Sequence, residues 1–178
     1  MNVLVINGYC LSVNSSANLC HLAYLQGLVD AGAHVSSLSI DPADYPADLS
    51  MKIPDEIDRH YIRAISLYER LSHFKKGMFS VDEQHTEGAV AAPSRQPDGL
   101  LQSIKSRIRA LYGPYGMDKV FYQKCKRFSC DVSFDLVISI SHPPVSHLAA
   151  YRLLKTSRIK AKHWIQIWED PWYSDVYG

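Results

Sequence analysis

The sequence predicts an α/β protein with a doubly wound, mostly parallel, Rossmann-like sheet and helices on both faces. Short apolar segments rich in β-branched residues alternate with longer segments in which apolar residues recur at helical spacing. The first two of these strands are separated by a small polar loop and a helix, as in a βαβ unit. The chain has 178 residues, which suits one well-buried domain, so residues 1–178 are expected to form a single domain.

The first βαβ unit is predicted within residues 2–40. "NVLVIN" (2–7) is typical of a strand that is covered on both faces. The loop at 12–18 offers three good helix N-caps, and the leucines after it fall on one helical stripe that ends at Gly32. "HVSSLSI" (34–40) is predicted to be the second strand.

The middle of the chain is predicted to be loop and helix. Residues 41–54 contain three prolines and are expected to form a loop. Apolar residues recur every three or four positions over 55–74, which predicts a helix. Residues 75–99 are polar and aperiodic, which is typical of a flexible surface loop. Two further helices are predicted over 101–111 and 117–128.

The α/β alternation resumes in the last third of the chain. "FDLVISIS" (134–141) is predicted to be a buried strand, and a helix is predicted over 145–156, directly after two prolines. "KHWIQIW" (162–168) is predicted to be the final strand. We expect Trp164 and Trp168 to be part of the core.

Composition excludes several classes of protein. The chain is 47% hydrophobic and 21% charged, with a net charge of +1, so nothing in its overall charge predicts a nucleic-acid partner. The four cysteines form no CxxC pair, and we expect reduced thiols in a cytoplasmic protein. No Cys/His cluster with zinc spacing and no Asp-x-Asp cluster is present in the sequence, so no metal cofactor is expected.

Ligands of doubly wound sheets bind beyond the carboxyl ends of the strands. Three predicted loops occupy that position, at residues 8–18, 141–146 and 169–174. The loop at 8–18 fits a phosphate-binding turn and an ordinary capped turn equally well. It lacks the GxGxxG fingerprint, which argues against a nicotinamide or flavin dinucleotide.

At these three loops the sequence resembles the amino-terminal domain of family-4 glycosyltransferases with the GT-B architecture. The resemblance lies in the opening strand with "LAYLQGLVDAGAHVSSLSID", in "FDLVISISHPPVSHLAAYRLLK" and in "WIQIWEDPW". It covers about half of the chain. In two places the sequence departs from the family pattern: Ser15-Ser16 replaces a frequent Gly-Gly, and Glu169-Asp170 occupies a position where many relatives carry a histidine.

The resemblance implies that a sugar is transferred, with retention of configuration, from a nucleotide-sugar to a hydroxyl acceptor, in polysaccharide or glycoconjugate biosynthesis. It implies two Rossmann-like domains, of which the amino-terminal one binds the acceptor and the carboxyl-terminal one the donor. The donor-binding half is expected to be a missing domain or a separate subunit, and the isolated chain is expected to be inactive. No cofactor is expected, since the nucleotide-sugar is a substrate.

The site residues follow from the resemblance and the three loops. Asp170 is the expected catalytic residue, and the alternative for it is an ordinary Asp-Pro turn. His142 either binds substrate or fixes its turn. The expected substrate-binding residues are Gly8, Tyr9, Asn14, Ser15, Ser16, Asn18, Ser141, His142, Glu169 and Trp172.

Residues 101–130 carry seven basic side chains and one acidic side chain, with aromatic residues between them. One interpretation is a peripheral contact with an anionic membrane at its inner face, where lipid-linked acceptors are found. The other is a solvated helical face. Two further hypotheses for the whole chain stay open: a non-catalytic subunit of a split glycosyltransferase that binds membrane or partner, and an unrelated Rossmann-like nucleotide-binding enzyme.

Overall fold

A computed structural model of the protein describes residues 1–44, 52–64, 118–141 and 144–169. All of them belong to one compact unit of the chain. Its elements, in chain order, are β1 (Asn2–Ile6), α1 (Ser16–Asp30), β2 (His34–Ile40), a 3-10 turn (Pro42–Asp44), β3 (Asp58–Ile62), α2 (Lys119–Cys125), β4 (Ser133–Ile140), α3 (Val145–Lys155) and β5 (Lys160–Ile167).

The five strands form one sheet in the order β3-β2-β1-β4-β5, and every neighbouring pair is parallel. The chain builds outward from β1 to β3 and then returns to the other side of β1 for β4 and β5. The Rossmann-like α/β class predicted from the sequence is therefore confirmed. Because the strand order reverses between β1 and β4, the topological switch point lies at their carboxyl ends.

Helices cover both faces of the sheet. On one face, Leu22 and Leu25 of α1 pack with odd-numbered β1 residues and even-numbered β4 residues, among them Val3 and Ile138. Successive strand residues point to opposite faces, so Ser139 lies on the other face, where its hydroxyl contacts His147 of α3. Each buried aliphatic side chain of this kind contributes about 1.5–3 kcal/mol.

Local sequence signals account for the ends of α1. The Ser15 side chain accepts a hydrogen bond from the Asn18 amide at 3.1 Å, which caps the helix. After the helix, Gly32 adopts a φ of +78°, in the left-handed region that glycine enters without strain. The predicted N-cap segment and the predicted glycine stop are therefore confirmed.

One predicted element is wrong. Within the segment 55–74 that was expected to be helical, Asp58–Ile62 forms strand β3, paired with β2 from Ser36↔Asp58 to Ile40↔Ile62. The apolar residues Ile57 and Tyr61 are four apart, and a spacing of four satisfies the strand period of two as well as the helix period. Hydrogen bonding to the β2 edge decides between the two periods, which spacing alone leaves open.

The position of Trp168 is a second correction. Its side chain is 48% exposed, whereas the sequence predicted a core residue, and Trp164 is half-buried. β5 lies at the edge of the described sheet, and Ile165 on it is 50% exposed. The loop predicted at 75–99 and the helix predicted at 101–111 lie outside the described residues.

Candidate functional site

The carboxyl ends of β1, β4 and β5 bring together polar groups from four parts of the chain. Asn7 and Gly8 follow β1, Ser141 follows β4, and Glu169 follows β5. His21 joins them from the buried face of α1. This group lies at the switch point, where doubly wound sheets bind their ligands.

A chain of hydrogen bonds links the two outer members of this group. Asn7 Nδ2 lies 2.6 Å from His21 Nδ1, and His21 Nε2 lies 2.9 Å from Glu169 Oε2. The His21 side chain is 1% exposed and that of Glu169 is 17% exposed. Glu169 is thus held from inside the protein, while part of its carboxylate is open to solvent.

The contacts of Asn7 determine which nitrogen of His21 carries the proton. The Tyr9 amide donates to Asn7 Oδ1 at 3.0 Å, so the amide nitrogen of Asn7 faces His21. His21 Nδ1 must then accept, and the proton of the neutral imidazole sits on Nε2. His21 therefore donates to Glu169, and a neutral ring avoids the cost of burying an unpaired second proton.

The backbone of Glu169 is held as well. Its amide donates to Ser141 Oγ at 2.9 Å, which fixes the end of β5 against the end of β4. The preceding residue, Trp168, points to the other face, where its ring lies 4.3 Å from that of His147. Glu169 Oε1, the second carboxylate oxygen, makes no hydrogen bond with the residues that the structure describes.

The loop between β1 and α1 is held by side chains of its own and of α3. The Gly8 amide donates to Ser146 Oγ at 2.9 Å. Asn18 donates from Nδ2 to the carbonyl groups of Cys10 and Val13, at 2.9 and 2.7 Å. These contacts tie the loop to α1 and α3. The Gly8 backbone amide and Asn18 Nδ2 are therefore already hydrogen-bonded inside the protein.

His147 belongs to the support of the site. Trp164 Nε1 donates to Ser139 Oγ at 2.9 Å, and that hydroxyl lies 2.7 Å from His147 Nδ1. The hydroxyl oxygen accepts from Trp164, and the Ser139–His147 bond links β4 to α3. Burial lowers the pKa of His147, which favours the neutral ring. Within the described ranges, His147 Nε2 is buried without a hydrogen-bond partner.

The structure places some of the predicted site residues at the switch point and others away from it. It brings Gly8, Ser141 and Glu169 to the switch point, while Tyr9 and Asn14 are exposed on the loop after β1 and Ser16 is exposed at the start of α1. Ser15 and Asn18 cap the helix and hold the loop. Asp170, His142 and Trp172 lie outside the described residues, so their roles stay predictions.

Three residues were not predicted from the sequence: Asn7 and His21 of this group, and Ser146, which holds the loop after β1. A signal for His21 existed, because Asn18 and His21 are three apart and share the buried side of an otherwise apolar helix. Nothing local marked the partner of His21, since Glu169 is 148 positions away.

Comparisons with protein-family models, with curated proteins and with solved structures give no match. Within the described part of the chain, no group of three or more His, Cys, Asp or Glu side chains is placed to hold a metal ion. None of the helices in that part is both long enough and apolar enough to cross a membrane.

Proposed function

We propose that this chain is the acceptor-side domain of a retaining glycosyltransferase of the GT-B type, acting in polysaccharide or glycoconjugate biosynthesis. The enzyme would move a sugar from a nucleotide-sugar to a hydroxyl acceptor. The observation that carries the proposal is a carboxylate, Glu169, held at the switch point of an all-parallel sheet by buried groups. The second, donor-binding Rossmann-like domain is implied by the resemblance.

Glu169 has the properties that binding of a hydroxyl requires. Its Oε2 is occupied by His21, while Oε1 can accept a hydrogen bond from an acceptor hydroxyl. The hydrogen bond from His21 takes up one carboxylate oxygen and leaves the other oriented toward the edge of the sheet. The bonds to His21 and Ser141 fix its direction before the acceptor arrives, which lowers the entropic cost of positioning.

The surroundings of Glu169 suit a sugar and a phosphate group. The exposed side chain of Tyr9 follows β1 at the same edge of the sheet, and its hydroxyl group can bond to the hydroxyl groups of a sugar. Helix α1 begins at Ser16 at this edge, so its positive end would favour the diphosphate of a donor held opposite. Asp170 remains the proposed catalytic residue, directly after Glu169.

A transfer assay tests the proposal. A tagged chain is expressed in the cells from which the gene comes, and is purified with whatever it is joined or bound to. It is then incubated with a panel of radiolabelled nucleotide-sugars and a cell-envelope extract. We expect label in a polymer or lipid fraction, and a loss of at least about tenfold with Glu169→Gln. Glu56→Gln, which changes an exposed carboxylate on the β3 side, is the matched control.

Two results would contradict the proposal. Transfer from no member of the panel would refute a glycosyltransferase. Equal activity of Glu169→Gln and Glu56→Gln would remove Glu169 from the acceptor site. Tight binding of a nucleotide to the isolated chain, without transfer, would favour the Rossmann-like nucleotide-binding hypothesis instead.

A further inference from the structure

A concavity lies at the edge of the sheet opposite the candidate functional site, at the amino ends of β4 and β5. It has a volume of about 320 Å³, which falls in the range of small-molecule pockets. One wall is the segment between α2 and β4, and the other is the connection from α3 to β5. We name it the amino-edge cavity. Its lining includes Ser129, Asp131, Ser157, Arg158 and Lys160.

The two walls are joined by main-chain hydrogen bonds. The Cys130 amide donates to the Arg158 carbonyl at 3.1 Å. The end of α3 is closed by bonds from the Ser157 amide to Leu154 and from the Arg158 amide to Leu153, at 3.0 and 2.9 Å. The backbone of the two walls is therefore fixed before any ligand enters, which lowers the entropic cost of binding.

The lining of the cavity is net positive, with two cationic side chains and one acidic side chain. Arg158 and Lys160 are exposed and make no ion pair within the described residues, and Asp131 is the one acidic side chain of the lining. Lys162, two residues along β5, is by contrast paired with Asp135 at 2.7 Å. A guanidinium and an ammonium group that share a concave surface with hydroxyl groups match the oxygens of a phosphate.

The backbone conformation of Ser157 is a second, independent indication that the amino-edge cavity is a binding site. Its φ of +53° lies in the left-handed region, and it is the one non-glycine residue with positive φ in the described ranges. Helix α1 ends with glycine in the corresponding conformation, at Gly32. A serine at such a position is strained, and strained residues concentrate at functional sites. Ser157 has a conformation that glycine usually adopts, and it adds a hydroxyl group to the lining of the cavity.

We propose that the amino-edge cavity binds the phosphate group of an organic phosphate, either a soluble metabolite or a lipid headgroup. Arg158 and Lys160 contact the phosphate oxygens, and the hydroxyl groups of Ser129 and Ser157 donate to them. Asp131 accepts a hydrogen bond from a hydroxyl group of the same ligand. This site lies at the opposite edge of the sheet from Glu169, so it is independent of the proposed transfer site.

The experiment is a titration of the ¹⁵N-labelled chain with three probes: inorganic phosphate, glycerol 3-phosphate, and phosphatidylcholine vesicles with or without phosphatidylglycerol. We expect saturable shifts of the Cys130, Ser157 and Arg158 amides with a phosphate, or co-sedimentation only with the anionic vesicles. The first result identifies a soluble ligand and the second a lipid. Arg158→Gln is expected to weaken the interaction about tenfold, as loss of a charge-assisted contact predicts.

Two further variants keep the proposal falsifiable. Arg63→Gln removes the same charge from an exposed residue just after β3, on the far side of the sheet, and should leave binding unchanged. Ser157→Gly should weaken binding about threefold while it stabilises the fold, a combination that a purely structural serine does not give. Shifts with no probe and no co-sedimentation would overturn the proposal, as would equal losses in Arg63→Gln and Arg158→Gln, which would indicate an adventitious ion only.

Discussion

Replacement of His21 by leucine tests whether the buried hydrogen-bond chain holds the site together. Two bonds are lost at once. Asn7 is 2% exposed, so its Nδ2 group loses its acceptor in a place that water does not reach, at a cost of about 1–3 kcal/mol. Glu169 is 17% exposed, and because water partly replaces its lost donor, that bond contributes about 1 kcal/mol.

Together these losses predict a decrease of about 2–4 kcal/mol in the free energy of unfolding. For a chain of this size that corresponds to a decrease in Tm of about 4–16 °C. Urea unfolding followed by tryptophan fluorescence measures the effect, because Trp164 and Trp168 lie on or next to β5. His34→Leu, an exposed histidine on β2, is the matched control and should change stability by less than about 0.5 kcal/mol.

A double-mutant cycle with Glu169→Gln separates the contact from other effects of the leucine. We expect a coupling energy of about 1 kcal/mol between the two positions, since the side chains are in direct contact. Additive effects, or a loss with His21→Leu no larger than that with His34→Leu, would refute the assignment of His21 as the group that holds Glu169.

Three other predictions concern stability and reactivity. Ser157→Gly should raise the free energy of unfolding by about 0.5–1 kcal/mol in urea titrations, because glycine relieves the positive φ; a decrease would contradict the strain. The lowered pKa of His147 means that the unfolded chain binds a proton first, so stability should be lost as pH falls below about 6.5. Between neutral and mildly acidic pH, the Tm of His147→Asn should therefore fall less than that of the unchanged protein. An equal fall in the two proteins would contradict the prediction. Burial raises the pKa of the Cys10 and Cys125 thiols, so a thiol reagent should modify exposed Cys20 much faster; equal rates would be inconsistent with the structure.

The sequence predicts those parts of the fold whose signals are local. Strands β1 and β4 are short apolar runs, and the bounds of these two and of β2 were predicted within one residue. The capping serine and the terminating glycine mark the ends of α1, although the polar loop before it was expected to continue to residue 18. The segment at 55–74 failed because its apolar spacing fits two periods, and only the neighbouring β2 edge selects the strand. Trp168 was placed in the core because hydrophobicity does not reveal that a strand lies at the edge of a sheet.

The candidate site was predictable in position but not in its connections. The rule that ligands bind beyond the carboxyl ends of strands led to Gly8, Ser141 and Glu169. The role of His21 depends on a contact across most of the chain, and that of Asn7 depends on a neighbouring amide that fixes its orientation. No spacing in the sequence encodes the contact between His21 and Glu169, because it arises only when the sheet has formed.

The most direct test of the central claim is a map of amide shifts when simple glycosides are added to the ¹⁵N-labelled protein. The account predicts shifts at Gly8, Ser141 and Glu169, together with a change at the His21 imidazole. These shifts should disappear in Glu169→Gln and persist in Glu56→Gln. Shifts confined to the amino edge of the sheet, or no shifts with any sugar ligand, would contradict an acceptor site at the β1–β4 switch point.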